Sequence, residues 1–290
     1  MKILFYLPSG LSSPELEVML SIIQKKLDNK KNNVSILTSG GGNSYHCNKN
    51  LYALKSIYYL SEKNLYRGIN QLKGKYETIK IPALNSKHKK AINFQNNKWH
   101  TYTYKRIYDN GLAAYSSYVT STRDRDLDGF FSLKIMRNLV STSNHLSDFF
   151  ESFLKRKNFN SVFLFNGRMN IYRPLLRASQ KLRIKSINVI EFNGNNDQIF
   201  NYGDKLPGNK KYLASQMKLN WNKNKRKRKM VSNFVSKKEV RQTLMNKNQF
   251  KVIQDKDLLP ENWNENFKNV VYFVSSDDEQ LTNGDFLFRP

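Results

Sequence analysis

Two rhythms of apolar residues alternate along the chain. Short, nearly continuous apolar runs lie at Lys2–Leu7, Asn33–Thr38, Ser161–Phe165 and 186–190. Runs of that length bounded by polar turns read as strands buried on both faces. Between them apolar residues recur every three or four positions. Leu16, Met19, Ile23 and Leu27 define a helix over 13–28. Ser12 and Glu15 have capping-box spacing, and Pro14 suits a first-turn position. Ile135, Leu139, Leu146, Phe149, Phe150 and Phe153 define a second helix over 132–157, and residues 174–182 read as a short third. "ETIKIP" reads as a further strand. Strand, helix and strand in succession require a right-handed crossover and a parallel sheet. The fold class is α/β: a Rossmann-like, doubly wound parallel sheet with a helical insertion and the start of a second domain. The divisions are 1–207 for the first domain, with 43–130 as the insertion, 208–263 as a basic helical segment and linker, and 264–290 as the start of the second domain. A last strand is expected at 269–274, followed by "SSDDE". No internal repeat is visible.

The insertion carries an aromatic row. Tyr104, Tyr108, Leu112 and Tyr115 fall on one face if "YKRIYDNGLAAYSSY" is helical. Such a row either stacks on sugars or packs as core.

Composition narrows the classes. With 290 residues, 39% of them hydrophobic, the chain can bury a substantial core. No apolar run reaches the length of a membrane span. "MKILFYLPSG" reads as a first core strand and not as a signal peptide. One cysteine, Cys47, excludes an internal disulfide framework and a multi-cysteine zinc site. A reduced, cytoplasmic setting is expected. The net charge of +26 points to acidic partners: nucleic acid, anionic membrane or phosphorylated substrates. A bias toward Lys and Asn would equally spread charge over a solvated surface. "NKNKRKRK" at 222–229 is the densest basic patch. It suits anionic lipid headgroups at the inner face of the cytoplasmic membrane, nucleic-acid phosphates, or solvent.

Candidate chemistry sits where strands end. In open parallel sheets ligands bind beyond the carboxyl ends of the strands. "FLFNGR" and "INVIEFNG" both switch from apolar to polar at that edge. Gly167 permits close backbone approach or a positive φ. Arg168 offers a planar fork for phosphate or carboxylate, and Arg173 follows near the start of the next helix. That helix aims its N-terminus at the same edge, which favours an anion. Asn166 completes the corner, with loop-carbonyl binding as its structural alternative. Glu191 can take hydrogen bonds from sugar hydroxyls, act as a general base, or simply pair with Arg168. In "TSTRDRDLD", Asp124 is a second candidate base, or part of a solvated charge run. "SGGG" after the second strand lacks the full dinucleotide fingerprint. The four histidines show no metal-ligand spacing. No Ser/His/Asp arrangement can be read.

"FLFNGR", "RPLLRASQKLRI", "NVIEFNG", Trp221 and "VVYFVSSDDE", in that order, resemble the capsule and surface polysaccharide biosynthesis proteins. These are similar to glycosyltransferases built from two Rossmann domains. The resemblance spans about residues 2 to 280. It implies transfer of a sugar from a nucleotide-sugar donor to a saccharide or lipid-linked acceptor, without a metal or other cofactor. It implies that Asn166, Gly167, Arg168 and Glu191 line an interdomain cleft, and that Ser275, Ser276, Asp277, Asp278 and Glu279 follow the first strand of the donor domain. Because about 26 residues follow Asn264, most of the donor site is expected to be absent. Either the chain is a truncated or split gene product or its first domain works with a partner chain, and transfer by the chain alone is expected to be weak or absent. The rival class is a non-enzymatic basic module for nucleic acid or anionic membrane. RNA-binding signatures are not evident, so nucleic acid is the less expected partner.

Overall fold

The computed structural model describes residues 1–11, 14–39, 46–82, 99–124, 127, 129–192, 199–207, 209–223 and 229. Strands β1 (Lys2–Leu7), β2 (Asn33–Thr38), β3 (Tyr76–Lys80), β4 (Ser161–Phe165), β5 (Ser186–Phe192) and β6 (Ile199–Asn201) form one sheet. Helices are α1 (Glu15–Leu27), α2 (Lys55–Ile69), α3 (Asn110–Thr122), α4 (Phe130–Lys157), α5 (Arg173–Lys181) and α6 (Lys210–Lys223). The sheet order is β3-β2-β1-β4-β5-β6. The first five strands pair in parallel, and β6 closes the edge antiparallel to β5. This is a Rossmann-like α/β sheet.

The apolar runs are strands because both faces are covered. Ile3, Phe5 and Leu7 of β1 join Met19 and Ile23 of α1 and Leu65 of α2 in one core. Leu4 and Tyr6, pointing the other way, join Leu146 and Phe150 of α4 and Leu175 and Leu176 of α5. The period-two alternation of a strand thus feeds two cores. Gly10, just past β1, is set against the α2 backbone. A Cβ there would lie 2.4 Å from the Ser61 carbonyl oxygen and 2.5 Å from the Leu65 nitrogen.

The chain winds outward from β1 to β3, then returns to β4 beside β1. The order of strands reverses at that junction. Pairing between β1 and β4 ends at Phe5↔Phe163, although both strands continue for two more residues. The sheet therefore parts at the carboxyl end of its switch point.

Helix α4 has 28 residues, about 42 Å of helix, against roughly 17 Å for a five-residue strand. Only its second half covers the sheet. Among the described residues the first half has no strand beneath it, and it packs on α3 instead. Tyr115, Tyr118, Leu127, Met136 and Leu139 form this third core. Because α4 ends at the amino edge, where β4 begins, the overhang lies toward the carboxyl edge.

Several expectations from the sequence change here. The expected insertion at 43–130 contributes α2 and β3 to the wound sheet itself. The aromatic row is not one helical face, because α3 begins only at Asn110. Lys105 and Arg106 adopt positive φ of 49° and 59°, making a turn that pairs Tyr104 with Tyr108. Their hydroxyls donate to Asp148 and Glu151 of α4 at 2.8 and 3.0 Å, so both rings serve packing. Ser12 of the expected capping box, the strand at 269–274 and the linker before it lie outside the described residues. Helix α6 belongs to a separate compact unit, Lys210–Asp277. Among the described residues no helix is long and apolar enough to cross a membrane.

Gly10→Ala is expected to cost roughly 3 kcal/mol, since the backbone of α2 would have to move. Gly129→Ala, whose Cβ would meet only Ser132 Oγ at 3.5 Å, should cost much less. Chemical denaturation of both variants checks the difference.

Candidate functional site

Strand β4 ends on an amide because the turn uses both ends of it. Asn166 and Gly167 take positive φ of 55° and 73°. Asparagine tolerates that region better than other non-glycine residues. The Asn166 amide nitrogen still donates to the Ile190 carbonyl at 2.8 Å, extending the β4–β5 ladder by one rung. Its Oδ1 accepts the Arg168 backbone N–H at 3.1 Å, and its Nδ2 donates to Glu191 Oε2. The side chain therefore closes the turn and links it to the end of β5. Gly167 faces inward. A Cβ would stand 3.1 Å from Leu176 and 3.2 Å from Leu206, so glycine is required by both packing and φ.

Glu191 is partly buried. Burial pushes its carboxyl above the ordinary glutamate range. The Phe192 N–H, the Asn166 amide and the Arg168 charge act in the opposite direction without cancelling it. Arg168 is itself half-buried. The structure thus brings Asn166, Arg168 and Glu191 into one corner, as the crossover from β4 to β5 leads one to expect. A carboxylate held at a raised pKa beside an amide and a guanidinium can accept a proton from a hydroxyl or hold one for donation.

Arg173 is placed otherwise. Its side chain has no exposure to solvent. Nη1 meets Asp109 at 2.6 Å, and Nε donates to the Gly167 carbonyl at 3.0 Å. Arg177 holds the same carboxylate at 2.8 and 2.6 Å. Burial pushes Asp109 upward, but the two guanidiniums outweigh it and hold the carboxyl far below its ordinary range. The anion that meets the start of α5 is therefore the chain's own. Arg173 fixes the corner from behind and does not reach a ligand. Asp124 is exposed, at the end of α3, and takes a hydrogen bond from Tyr118 at 3.0 Å. The Tyr118 hydroxyl that meets it also meets Ser132 of α4 at 2.9 Å, within the α3–α4 hairpin. Ser275, Ser276 and Glu279 lie outside the described residues.

A second feature occupies the parted switch point. Tyr6, Ser9, Ser39, Cys47, Tyr58 and Ile171 are among the residues lining a narrow pocket of about 30 Å³. That is room for one or two waters. Ser39 donates to the Pro8 carbonyl at 2.8 Å, Tyr58 to the Ser39 carbonyl at 3.2 Å, and Ser9 meets Ser61 at 3.1 Å. Burial raises the Cys47 pKa, which keeps it a neutral thiol and a poor nucleophile. The first turn of α1 carries Glu15 and Glu17. Two carboxylates there oppose a dinucleotide pyrophosphate, which would need that helix end. Glu15 instead accepts a hydrogen bond from the buried Tyr172 hydroxyl.

Asn170 escaped sequence reading altogether. It is fully buried and saturated: its N–H and Oδ1 bind Ser117 Oγ, its Nδ2 donates to the His46 and Leu139 carbonyls, and its carbonyl accepts Ser143. It ties the corner to α3, to α4 and to the loop after β2. The only hint was an Asn between two apolar residues. Among the described residues no group of His, Cys, Asp and Glu could hold a metal ion. No family model, curated protein or solved structure matches the chain.

Glu191 should titrate above the ordinary glutamate value of about 4.3. Because its folded pKa is raised, its contribution to stability falls as pH climbs from that value through the folded one. Arg168→Ala removes an opposing charge and should raise the pKa further. Carboxyl-carbon NMR titration reads both, and a value at or below the ordinary range contradicts the account of this corner.

Proposed function

We propose that the chain is a glycosyltransferase-type protein of surface polysaccharide assembly, with its reacting edge at the carboxyl ends of β4 and β5. The observation that carries this reading is the Asn166–Glu191 pair beside Arg168 at the open edge of a Rossmann-like sheet. The sequence resemblance already described supplies the reaction class. In that reaction an acceptor hydroxyl oxygen bonds to the anomeric carbon of a nucleotide-sugar, and the bond from that carbon to the nucleoside diphosphate breaks. Glu191 takes the hydroxyl proton, a task that a raised pKa favours. Arg168 holds a phosphate of the donor or of a lipid-linked acceptor. Ser275, Ser276 and Glu279 contribute donor contacts by resemblance alone. Asp124 is far less suited to the base role, since it is exposed and engaged within its own hairpin.

The rival reading, a basic module for nucleic acid, draws on the +26 charge. Titration calorimetry with nucleotide-sugars and phosphorylated saccharides separates the two. The proposal expects saturable binding that weakens at least tenfold in Arg168→Ala, with little or no product by mass spectrometry from the chain alone and none in Glu191→Ala. Absence of any such binding, with tight and steeply salt-dependent binding of RNA unaltered in Arg168→Ala, would establish the rival.

A further inference from the structure

The overhanging half of α4 begins with two phenylalanines in water. Phe130 and Phe131 are 72% and 74% exposed, with their rings edge to face at 5.9 Å. Lys134 and Arg137 are exposed on the same helix, four and seven residues after Phe130. That spacing sets both cations along one face with the aromatic end. A second segment adjoins this hairpin. Ser121 of α3 donates to the Asn48 carbonyl, and Leu51 packs on the same cluster as Leu133. Next to Leu51, Tyr52 and Leu54 are 66% and 48% exposed. Lys49 and Lys55 flank them, both exposed. Apolar tips interleaved with cations thus come from two elements joined by one core. In the sequence Asp124, Asp126 and Asp128 precede Phe130 together with Arg123 and Arg125, and Asp124 is hydrogen-bonded to Tyr118.

We infer that this surface docks on an anionic lipid bilayer. Aromatic side chains favour the headgroup level, and lysine and arginine beside them match the negative potential of an anionic leaflet. The complementarity is both apolar and electrostatic. No described helix is long and apolar enough to cross the bilayer, so the contact is interfacial. Four large apolar side chains exposed beside four cations suit insertion between headgroups. The site differs from the basic run at 222–229, and the inference stands apart from the transfer reaction.

The test is co-sedimentation of the whole chain with vesicles of phosphatidylcholine alone and of phosphatidylcholine mixed with phosphatidylserine. Wild-type protein should prefer the anionic vesicles. Phe130→Ser/Phe131→Ser should weaken that binding by roughly tenfold or more, since two apolar side chains no longer leave water. Lys134→Ala/Arg137→Ala should weaken it on the order of tenfold and reduce its salt dependence. Thermal unfolding should be unchanged in both, because all four residues are exposed. Equal binding to neutral and anionic vesicles would overturn the inference. So would wild-type binding by the phenylalanine variant, as expected if residues 222–229 alone made the contact. Loss of single-stranded RNA binding in that variant, with no vesicle binding by wild type, would reassign the surface to nucleic acid.

Discussion

A guanidinium without access to water must be met by a carboxylate, and the placement of Asp109 against Arg173 organises the carboxyl edge of this sheet. Asp109 stands immediately before α3, and Arg173 opens α5. Their contact at 2.6 Å therefore fixes the starts of two helices against each other. Arg173 also holds the Gly167 carbonyl, so the turn after β4 is set by the same charge. Taking two ions out of water costs several kcal/mol each, and their attraction returns that only when geometry and hydrogen bonding are good. Here Arg177 supplies further bonds to the carboxylate. The net effect on stability is modest by this reasoning, while the effect on register is large: a displaced α3 would leave a buried charge unmatched.

The Asn166–Glu191 pair depends on that arrangement. Asn166 keeps its positive φ because the turn is held on three sides. The β5 carbonyl at Ile190 receives its N–H, Gly167 is wedged against Leu176 and Leu206, and Arg173 grips the next carbonyl. Asn170, three residues later, carries the constraint outward through Ser117 and Ser143 to the α3–α4 hairpin. The exposed phenylalanines at the start of α4 thus stand on a support continuous with the corner where Glu191 sits. A rigid corner with a partly buried carboxylate is the kind of scaffold a reacting group requires.

Much of this was legible in the sequence, for a definite reason. Strands buried on both faces are apolar at every position, so β1, β2, β4 and β5 stand out, and the order βαβ implies parallel pairing. The polar switch at Asn166 marked the end of β4, whereas β5 runs on through Glu191 to Phe192 to pair with β6. What sequence hid was the direction of side chains. Arg173 sits five residues beyond the Asn166–Arg168 turn and reads as a ligand contact. It points inward only because Asp109, 64 positions earlier, is brought to it by the fold. Helix α2 went unseen because its outer face carries Tyr59 and Leu60, which blur its apolar periodicity. Strand β3 was legible as "ETIKIP", although none of its residues is fully buried. Tyr104 and Tyr108 matched a helical spacing, but two residues at positive φ turn the chain between them.

The dependence of the edge on its buried ion pair is tested most directly by a double-mutant cycle at Asp109 and Arg173. Asp109→Leu and Arg173→Met would each strand a partner charge, and each should cost about 3–5 kcal/mol in chemical denaturation. The double variant removes both charges and should cost less than their sum by about 2 kcal/mol or more. Additivity of the two losses to within roughly 0.5 kcal/mol would mean that the pair does not act as a unit, and would contradict the account.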